Sequence, residues 1–143
     1  MGINVVSHTR MKIKTILAAA VAVISLTACE DLFEDGSMQP DGSRPSVTIN
    51  NPTTNQTVTQ VQGVRVSITT VDKDKVKDIE VVIRGVESEQ PFISFKKFPD
   101  KNVVEMDTLI ALPNAVAGAY ILEVNATDMR TNVAREEVSF KVR

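Results

Sequence analysis

From Pro45 to the end of the chain, apolar and polar side chains alternate, and this period of two constrains the fold more than any other feature. Between Gly63 and Val71, the apolar residues Val64, Val66 and Ile68 are separated by polar ones. Alternation is typical of a half-buried β-strand, whose successive side chains point to opposite faces. No window after residue 44 has a convincing helical period. The sequence therefore predicts an all-β domain over residues 45–143.

The strands are short, rich in Val, Ile and Thr, and separated by turn residues such as Asn51-Pro52. We place them at residues 46–50, 57–59, 63–71, 78–84, 92–97, 104–110, 119–126 and 137–142, of which 57–59 is the weakest. About 100 residues of this kind predict one antiparallel β-sandwich of about seven strands with a single core. The predicted core includes Val66, Ile79, Val81, Leu122, Val124 and Phe140.

The first 29 residues follow another pattern. Lys12 and Lys14 precede an apolar stretch from Ile16 to Leu26, which is followed by the only cysteine, Cys29. A positive start, a short apolar stretch and small residues form a secretory signal. The 14 residues from Ile16 to Cys29 are too few for a transmembrane helix, which needs about 20.

The end of this signal, Leu26-Thr27-Ala28-Cys29, resembles the lipobox of bacterial lipoproteins. The resemblance implies cleavage between Ala28 and Cys29, and attachment of lipid to the new N-terminal cysteine. Residues 1–28 are then the signal peptide. We expect translation to begin at Met11, because residues 1–10 add nothing that a signal needs; the alternative is an unusually long N-terminal region.

Residues 29–44 mix acids, Gly, Ser and Pro without a period and predict a flexible tether. Its first acids are Glu30, Asp31, Glu34 and Asp35. They are either solvated tether residues or an export signal, since they resemble the acids that send lipoproteins of one Gram-negative phylum to the cell surface. We expect an outer-membrane protein that faces outward; the alternative is the periplasmic face.

The charge and composition after cleavage exclude several functions. Loss of Arg10, Lys12 and Lys14 leaves 13 basic and 18 acidic residues, a net charge of −5, which argues against nucleic-acid binding. The only histidine, His8, is also removed, so zinc sites and nucleophilic triads built on Cys or His are excluded. We expect no enzyme activity, no catalytic residues and no cofactor.

Two segments resemble bacterial Ig-like domains. Residues 71–81, Val-Asp-Lys-Asp-Lys-Val-Lys-Asp-Ile-Glu-Val, resemble the junction of strands B and C, where an Asp-rich turn separates the strands. Residues 118–128 resemble strand F, and Tyr120 has the position of a tyrosine corner. The resemblance implies an Ig-like sandwich over residues 45–143, similar to small uncharacterised lipoproteins of Gram-negative anaerobes.

Three acids of the predicted turn, Asp72, Asp74 and Asp78, are candidate calcium ligands, because Ca²⁺ prefers carboxylate and carbonyl oxygens. Interleaved lysines oppose that interpretation, and aspartates also stabilise turns by accepting hydrogen bonds from nearby backbone amides. We favour the turn role and expect no metal. Asp128 has the same expected role.

The remaining candidates lie in the second half of the chain. Asp107-Thr108-Leu109 resembles a periplasmic O-glycosylation acceptor, which makes Thr108 a candidate site. Glu105 and Asp107 share a strand face, but nothing marks the cleft that a glycosidase needs. Phe92, Phe95 and Phe98 are spaced so that both faces receive an aromatic ring, and without Trp a sugar platform is disfavoured.

These observations predict a membrane-anchored surface lipoprotein whose Ig-like module binds a protein or glycan partner without catalysis. The alternative is a structural spacer or assembly subunit that pairs through its edge strands. A calcium- or glycan-binding module is a more distant alternative.

The lipid anchor can be tested at Cys29. We expect a Cys29→Ala chain to lose lipidation and to leave the detergent phase, because no other cysteine is available. Intact mass and detergent partitioning give the measurement. A Cys29→Ala protein that remains lipidated would refute the assignment.

Overall fold

The computed structural model describes residues 39–143, which form seven β-strands and no helix. In chain order the strands are β1 (Ser46–Asn51), β2 (Gln56–Val58), β3 (Val64–Gly85), β4 (Pro91–Lys97), β5 (Lys101–Ile110), β6 (Gly118–Asp128) and β7 (Val133–Val142). Within residues 39–143 there is thus no helix long and apolar enough to cross a bilayer.

The 22-residue strand β3 belongs to both layers of the fold. Its first part, from Val64 to Val71, pairs with β1 and β5. Its last part, from Val76 to Gly85, pairs with β6, and Ile79–Arg84 also pairs with β4. The registers shift between these parts, and Lys75 has a φ of 68°. This irregular backbone is the kind of bend that lets one strand change sheets.

The two layers follow from these pairings. One has the order β1–β3–β5, and the other has the order β4–β3–β6–β7–β2. All pairs are antiparallel except β2 with β7, which is parallel. The prediction of an antiparallel sandwich is confirmed except for this one parallel pair, which the short strand β2 forms with β7.

The core consists of the inward-facing side chains of both layers. All six predicted core residues are buried: Val66, Ile79, Val81, Leu122, Val124 and Phe140. In β6 the burial alternates without a break from Tyr120 to Asp128, as the period of two predicts. Partly buried Val47, Phe95 and Val138 close the margins of this core.

Tyr120 forms the predicted corner before β6 enters the core. Its hydroxyl donates a hydrogen bond to the Val116 carbonyl at 2.9 Å. Its ring lies against Phe140, with ring centroids 5.9 Å apart, and meets Phe92 edge-on at 6.1 Å. The hydroxyl thus holds the β5–β6 loop while the ring contacts Phe92 and Phe140, which is the geometry of a tyrosine corner.

Two strand boundaries differ from the sequence prediction by four residues or more. The Asp-rich segment 72–77 was expected to be a turn, but the strand continues through it, and two predicted strands are therefore one. Strand β7 begins at Val133 instead of Glu137. In this first part of the strand, Arg135 and Glu137 face outward and form ion pairs with β6 and β3. Three consecutive charged residues at the start of β7, Arg135 to Glu137, hid the alternation of apolar and polar residues from the sequence prediction.

Truncation of Leu122 should show that β6 anchors the core. Leu122 is fully buried, so Leu122→Ala should lower the free energy of unfolding by about 2–5 kcal/mol. Ile121→Ala, which truncates a half-buried side chain on the opposite face of β6, should cost less. Urea denaturation of both variants gives the comparison, and equal losses would contradict the assigned faces.

Candidate functional site

The three aspartates considered as calcium ligands do not converge. Asp72 is buried, and its Oδ1 accepts a hydrogen bond from the Asp74 backbone N–H at 2.6 Å. Asp78 accepts one from the Thr127 hydroxyl at 3.2 Å and lies 3.5 Å from Lys96 Nζ. Asp72 therefore stabilises the local backbone as the turn interpretation expected, although the segment is part of a strand.

A different set of acids meets at the bend of β3. Carboxylate oxygens of Asp41, Asp74 and Asp128 lie within 4.8 Å of one another. Lys73 Nζ lies 2.8 Å from Asp41 and 3.6 Å from Asp74. Arg130 Nε lies 3.2 Å from Asp74. Two side-chain cations thus already offset two of the three negative charges of this cluster.

Asp128 and Asn132 close the turn between β6 and β7. The Asp128 carboxylate is fully buried and accepts hydrogen bonds from the backbone N–H and the side-chain amide of Asn132, both at 2.8 Å. The expected turn role of Asp128 is confirmed. Buried carboxylates need such donors, because an unpaired buried charge is costly.

Asp41 joins this turn to the start of the described chain. Its carboxylate accepts hydrogen bonds from Lys73 Nζ at 2.8 Å and from the Asn132 amide at 3.0 Å. The Gly42 N–H donates to Asn132 Oδ1 at 3.2 Å. Asp41 belongs to the predicted tether, so the last part of that segment contacts the domain.

The outer face of the second layer carries charges that pair with one another. Glu123 accepts a hydrogen bond from Arg135 at 2.8 Å, and Arg84 lies 3.4 Å from Glu137. The hydrogen bond from Arg135 lowers the pKa of Glu137, and the same contact raises the pKa of Arg135. Exposed pairs of this kind contribute little stability, and together they leave this face without net charge.

Three of the four sheet edges carry features that discourage further pairing. Strand β2 has only three residues. Strand β4 begins at Pro91 and ends in exposed Lys96 and Lys97. Strand β1 is irregular near Asn51 and is followed directly by Pro52. Short strands, Pro, Lys and bulges are the usual protections of a sheet edge.

Strand β5 lacks these protections along most of its length. It has ten residues, no Pro, and an unbroken register with β3 from Val103 to Ile110. Within residues 39–143 it pairs with β3 alone, so its other edge presents unpaired backbone groups. Its outer face exposes two apolar side chains, Val103 at 55% and Leu109 at 67%.

A groove of about 350 Å³ runs along this free edge. It is lined by four consecutive residues of β5 and by the end of β4 with the following turn: Val104, Glu105, Met106, Asp107, Lys97, Phe98 and Pro99, with Ile79 at its base. Consecutive residues of a strand can line one groove only along the strand's backbone edge, because their side chains alternate between faces. Phe98, 72% exposed, forms part of the rim.

The charged side chains of the groove are Glu105 and Asp107 on its β5 wall and Lys97 on its β4 wall. Arg65 on β3 hydrogen-bonds to Asp107 and lowers the pKa of that carboxyl. Glu105 is exposed and has no basic partner within 4.0 Å among the described residues. The groove therefore combines apolar walls with an unpaired carboxylate on β5 and, across from it, the ammonium group of Lys97 on β4.

The fold resembles known bacterial domains. Residues 45–105 match the family model of the bacterial Ig domain. The structure is also similar to that of OgpA from Akkermansia muciniphila, with a TM-score of 0.55 and 14% identity over 76% of this chain and 32% of that chain.

The described domain is an Ig-like β-sandwich. The fibronectin(III)-like modules of Clostridium thermocellum CbhA are similar as well, with a TM-score of 0.49 and 17% identity over 71% of this chain and 47% of that chain. The chain spans about a third of the OgpA chain, and likeness at these identities is one of fold. No curated protein matches the chain in sequence.

The Ig-like domain contains only some of the sequence candidates. Cys29 and the acids Glu30, Asp31, Glu34 and Asp35 lie outside the described residues. Thr108 is half-buried in β5, on the same face as Met106. Glu105 and Asp107 do share a face, and both line the groove.

Sequence reasoning missed the residues that join distant parts of the Ig-like domain. Asn132 follows Asp128 by four positions, and an Asp and an Asn at that spacing are a turn signal that could have identified it. Asp41 gave no signal, because its partner Asn132 lies 91 positions away. The groove gave none either, because it forms between strands that do not pair.

The contacts of Asp41 should be visible in its titration. The hydrogen bond from Lys73 is the largest cause that lowers the pKa of Asp41 from 3.8 to about 2. A lowered pKa means that the contacts stabilise the folded state fully above about pH 4 and are lost as the pH falls through about 2. Carboxyl ¹³C NMR should follow this titration directly.

Two lysine variants test the cause. Lys73→Met should raise the pKa of Asp41 toward 3.8, whereas Lys77→Met, a change of an exposed lysine on the same strand, should leave it unchanged. A pKa near 3.8 in the unaltered chain would show that Asp41 is not docked.

Proposed function

We propose that the chain is a lipid-anchored surface protein whose Ig-like domain binds a protein partner without catalysing a reaction. The lipobox at Cys29 and the acids that follow it support the anchor and the outward location. The groove along the free edge of β5 supports the binding role, since it is an apolar surface with unpaired charges at Glu105 and Lys97, on a domain whose other charged face is neutralised.

The composition of the chain supports a non-catalytic role. Cleavage before Cys29 leaves no histidine, and the cysteine itself carries the lipid. The carboxylates of Asp41, Asp74 and Asp128, which lie within 4.8 Å of one another, are engaged by Lys73, Arg130 and Asn132. Their contacts are those of a structural joint and leave little room for acid–base chemistry.

An assembly subunit that pairs with copies of itself is the second candidate, because β5 offers a long free edge. The charges of that edge oppose it. In the two longest antiparallel registers that keep the outer faces of both copies on the same side of the sheet, Glu105 would lie opposite either Glu105 or Asp107 of the second copy. Like charges directly opposite each other destabilise a strand pair.

Protease shaving of intact cells tests the location. We expect the Ig-like domain to be cleaved while the outer membrane is intact. Replacement of Glu30, Asp31, Glu34 and Asp35 by Ser and Asn should abolish this exposure without unfolding the domain, because these acids precede the sandwich.

The matched control removes acids from the domain itself. Replacement of Glu87 and Glu89, exposed in the β3–β4 turn, by Ser and Asn should leave the domain accessible to protease. Protection of the unaltered domain until the outer membrane is broken would contradict the surface location. Exposure that survives loss of the four acids would contradict their export role.

A further inference from the structure

We propose that the free edge of β5 binds an extended peptide segment of a partner protein as an added strand. The segment is one whose alternate residues are apolar toward the groove and basic toward Glu105. This inference rests on the proposed binding function and specifies its partner chemistry. Strand addition supplies affinity through backbone hydrogen bonds and specificity through pockets for alternate side chains.

The backbone of β5 is suited to this pairing. Its register with β3 has no shift from Val103 to Ile110, so its free edge is regular over the same residues. The other edges are short, irregular or protected by Lys and Pro. An added strand therefore meets the fewest obstacles at β5.

One face of an added strand would turn toward the interior of the sandwich. There the groove presents Ile79, Val104 and Met106, with Phe98 on its rim and Lys97 at the end of β4. About 350 Å³ is at the lower end of the range for ligand pockets and admits side chains, not a folded domain. Apolar side chains of the added strand would cover this part of the core.

The other face would continue the outer face of the first layer. An added strand would there lie beside Val103, Glu105, Asp107 and Leu109, all exposed. Arg65 already pairs with Asp107, and Glu105 remains without a basic partner in the described chain. The charge favours Lys or Arg opposite Glu105, and the exposed Val103 and Leu109 favour apolar residues on either side of it.

The same charges select against a second copy of this chain. Each copy would bring its own unpaired Glu105 to the edge, whereas a basic residue of another segment would neutralise it. Complementary charge at such an edge favours the correct partner and disfavours others. The occupant that fits this edge is therefore an alternating segment with a basic residue, supplied by a different protein.

Selection from a phage-displayed library of random linear peptides tests the proposal on the purified full chain in detergent. We expect the enriched peptides to have apolar residues at alternate positions and a Lys or Arg among the residues between them. On binding, they should slow amide hydrogen exchange within residues 103–109 of β5. Enriched peptides without this pattern, protection at another edge, or a selection that enriches nothing would overturn the proposal.

Two substitutions at the edge should weaken binding of the selected peptide. Glu105→Lys reverses the unpaired charge, and Val103→Lys places a charge where an apolar contact is expected; each should weaken binding at least about tenfold. The matched controls are Glu136→Lys, on β7 in the other layer, and Thr48→Lys, on the β1 edge of the same layer. Neither should change affinity, and equal effects of test and control would overturn the proposal.

Two further results separate this inference from the proposed function. A stable dimer of the unaltered chain, detected by sedimentation and dissociated by Val103→Lys, would make a second copy the occupant and overturn it. Peptide binding to the purified chain does not depend on cellular location. If the purified chain binds the peptide but the domain is not exposed on cells, only the surface role is rejected. If the domain is exposed on cells but the purified chain binds no peptide, only the β5 edge is rejected as a binding site.

Discussion

The architecture depends on β3 changing layers within one continuous strand. Backbone pairing holds its first part to β1 and β5 and its last part to β4 and β6, so neither layer is complete without it. The crossing needs a break in the register, and Lys75 provides it with a left-handed backbone that non-glycine residues seldom adopt. The acids around this break are held by Lys73, Arg130 and Asn132, which fix the angle of the crossing.

The crossing also explains why one edge of the domain is open. Strands β4 and β5 follow each other in the chain but pair with different parts of β3, one in each layer. The layers therefore separate at their margins, and Ile79 and Met106 line the gap between them. The groove is thus a consequence of the topology, and its charged groups are Glu105 and Asp107 on the β5 wall and Lys97 on the β4 wall.

Much of the fold was predictable because alternation is local. Val66, Leu122 and Phe140 lie in the core as expected, since neighbours two positions apart on a strand share a face. The Asp-rich segment was misread, because alternating Asp and Lys suit both a turn and an irregular exposed strand. Local propensity does not decide between them; the pairing of β3 with four other strands does.

The candidate site was less predictable, for a different reason. Glu105 and Asp107 were recognised as sharing a face, but the groove beside them requires Ile79 and Phe98, which come from another strand and from a turn. The network at the bend likewise joins Asp41 to Asn132 across most of the domain. Contacts at such separations depend on how the layers pack, and a single sequence carries no periodic signal for them.

The docking of Asp41 also determines how the domain meets mechanical load. β1 is hydrogen-bonded to β3 alone among the described strands, and an edge strand held on one side can be peeled away pair by pair. A force applied at the N-terminal side acts on Asp41 and Gly42 before it acts on β1. The hydrogen bonds of Asn132 transmit that force to the turn between β6 and β7. Forced unfolding is governed by the rate of the first rupture. The joint at Asp41 therefore diverts tension from the weakest edge into the other layer.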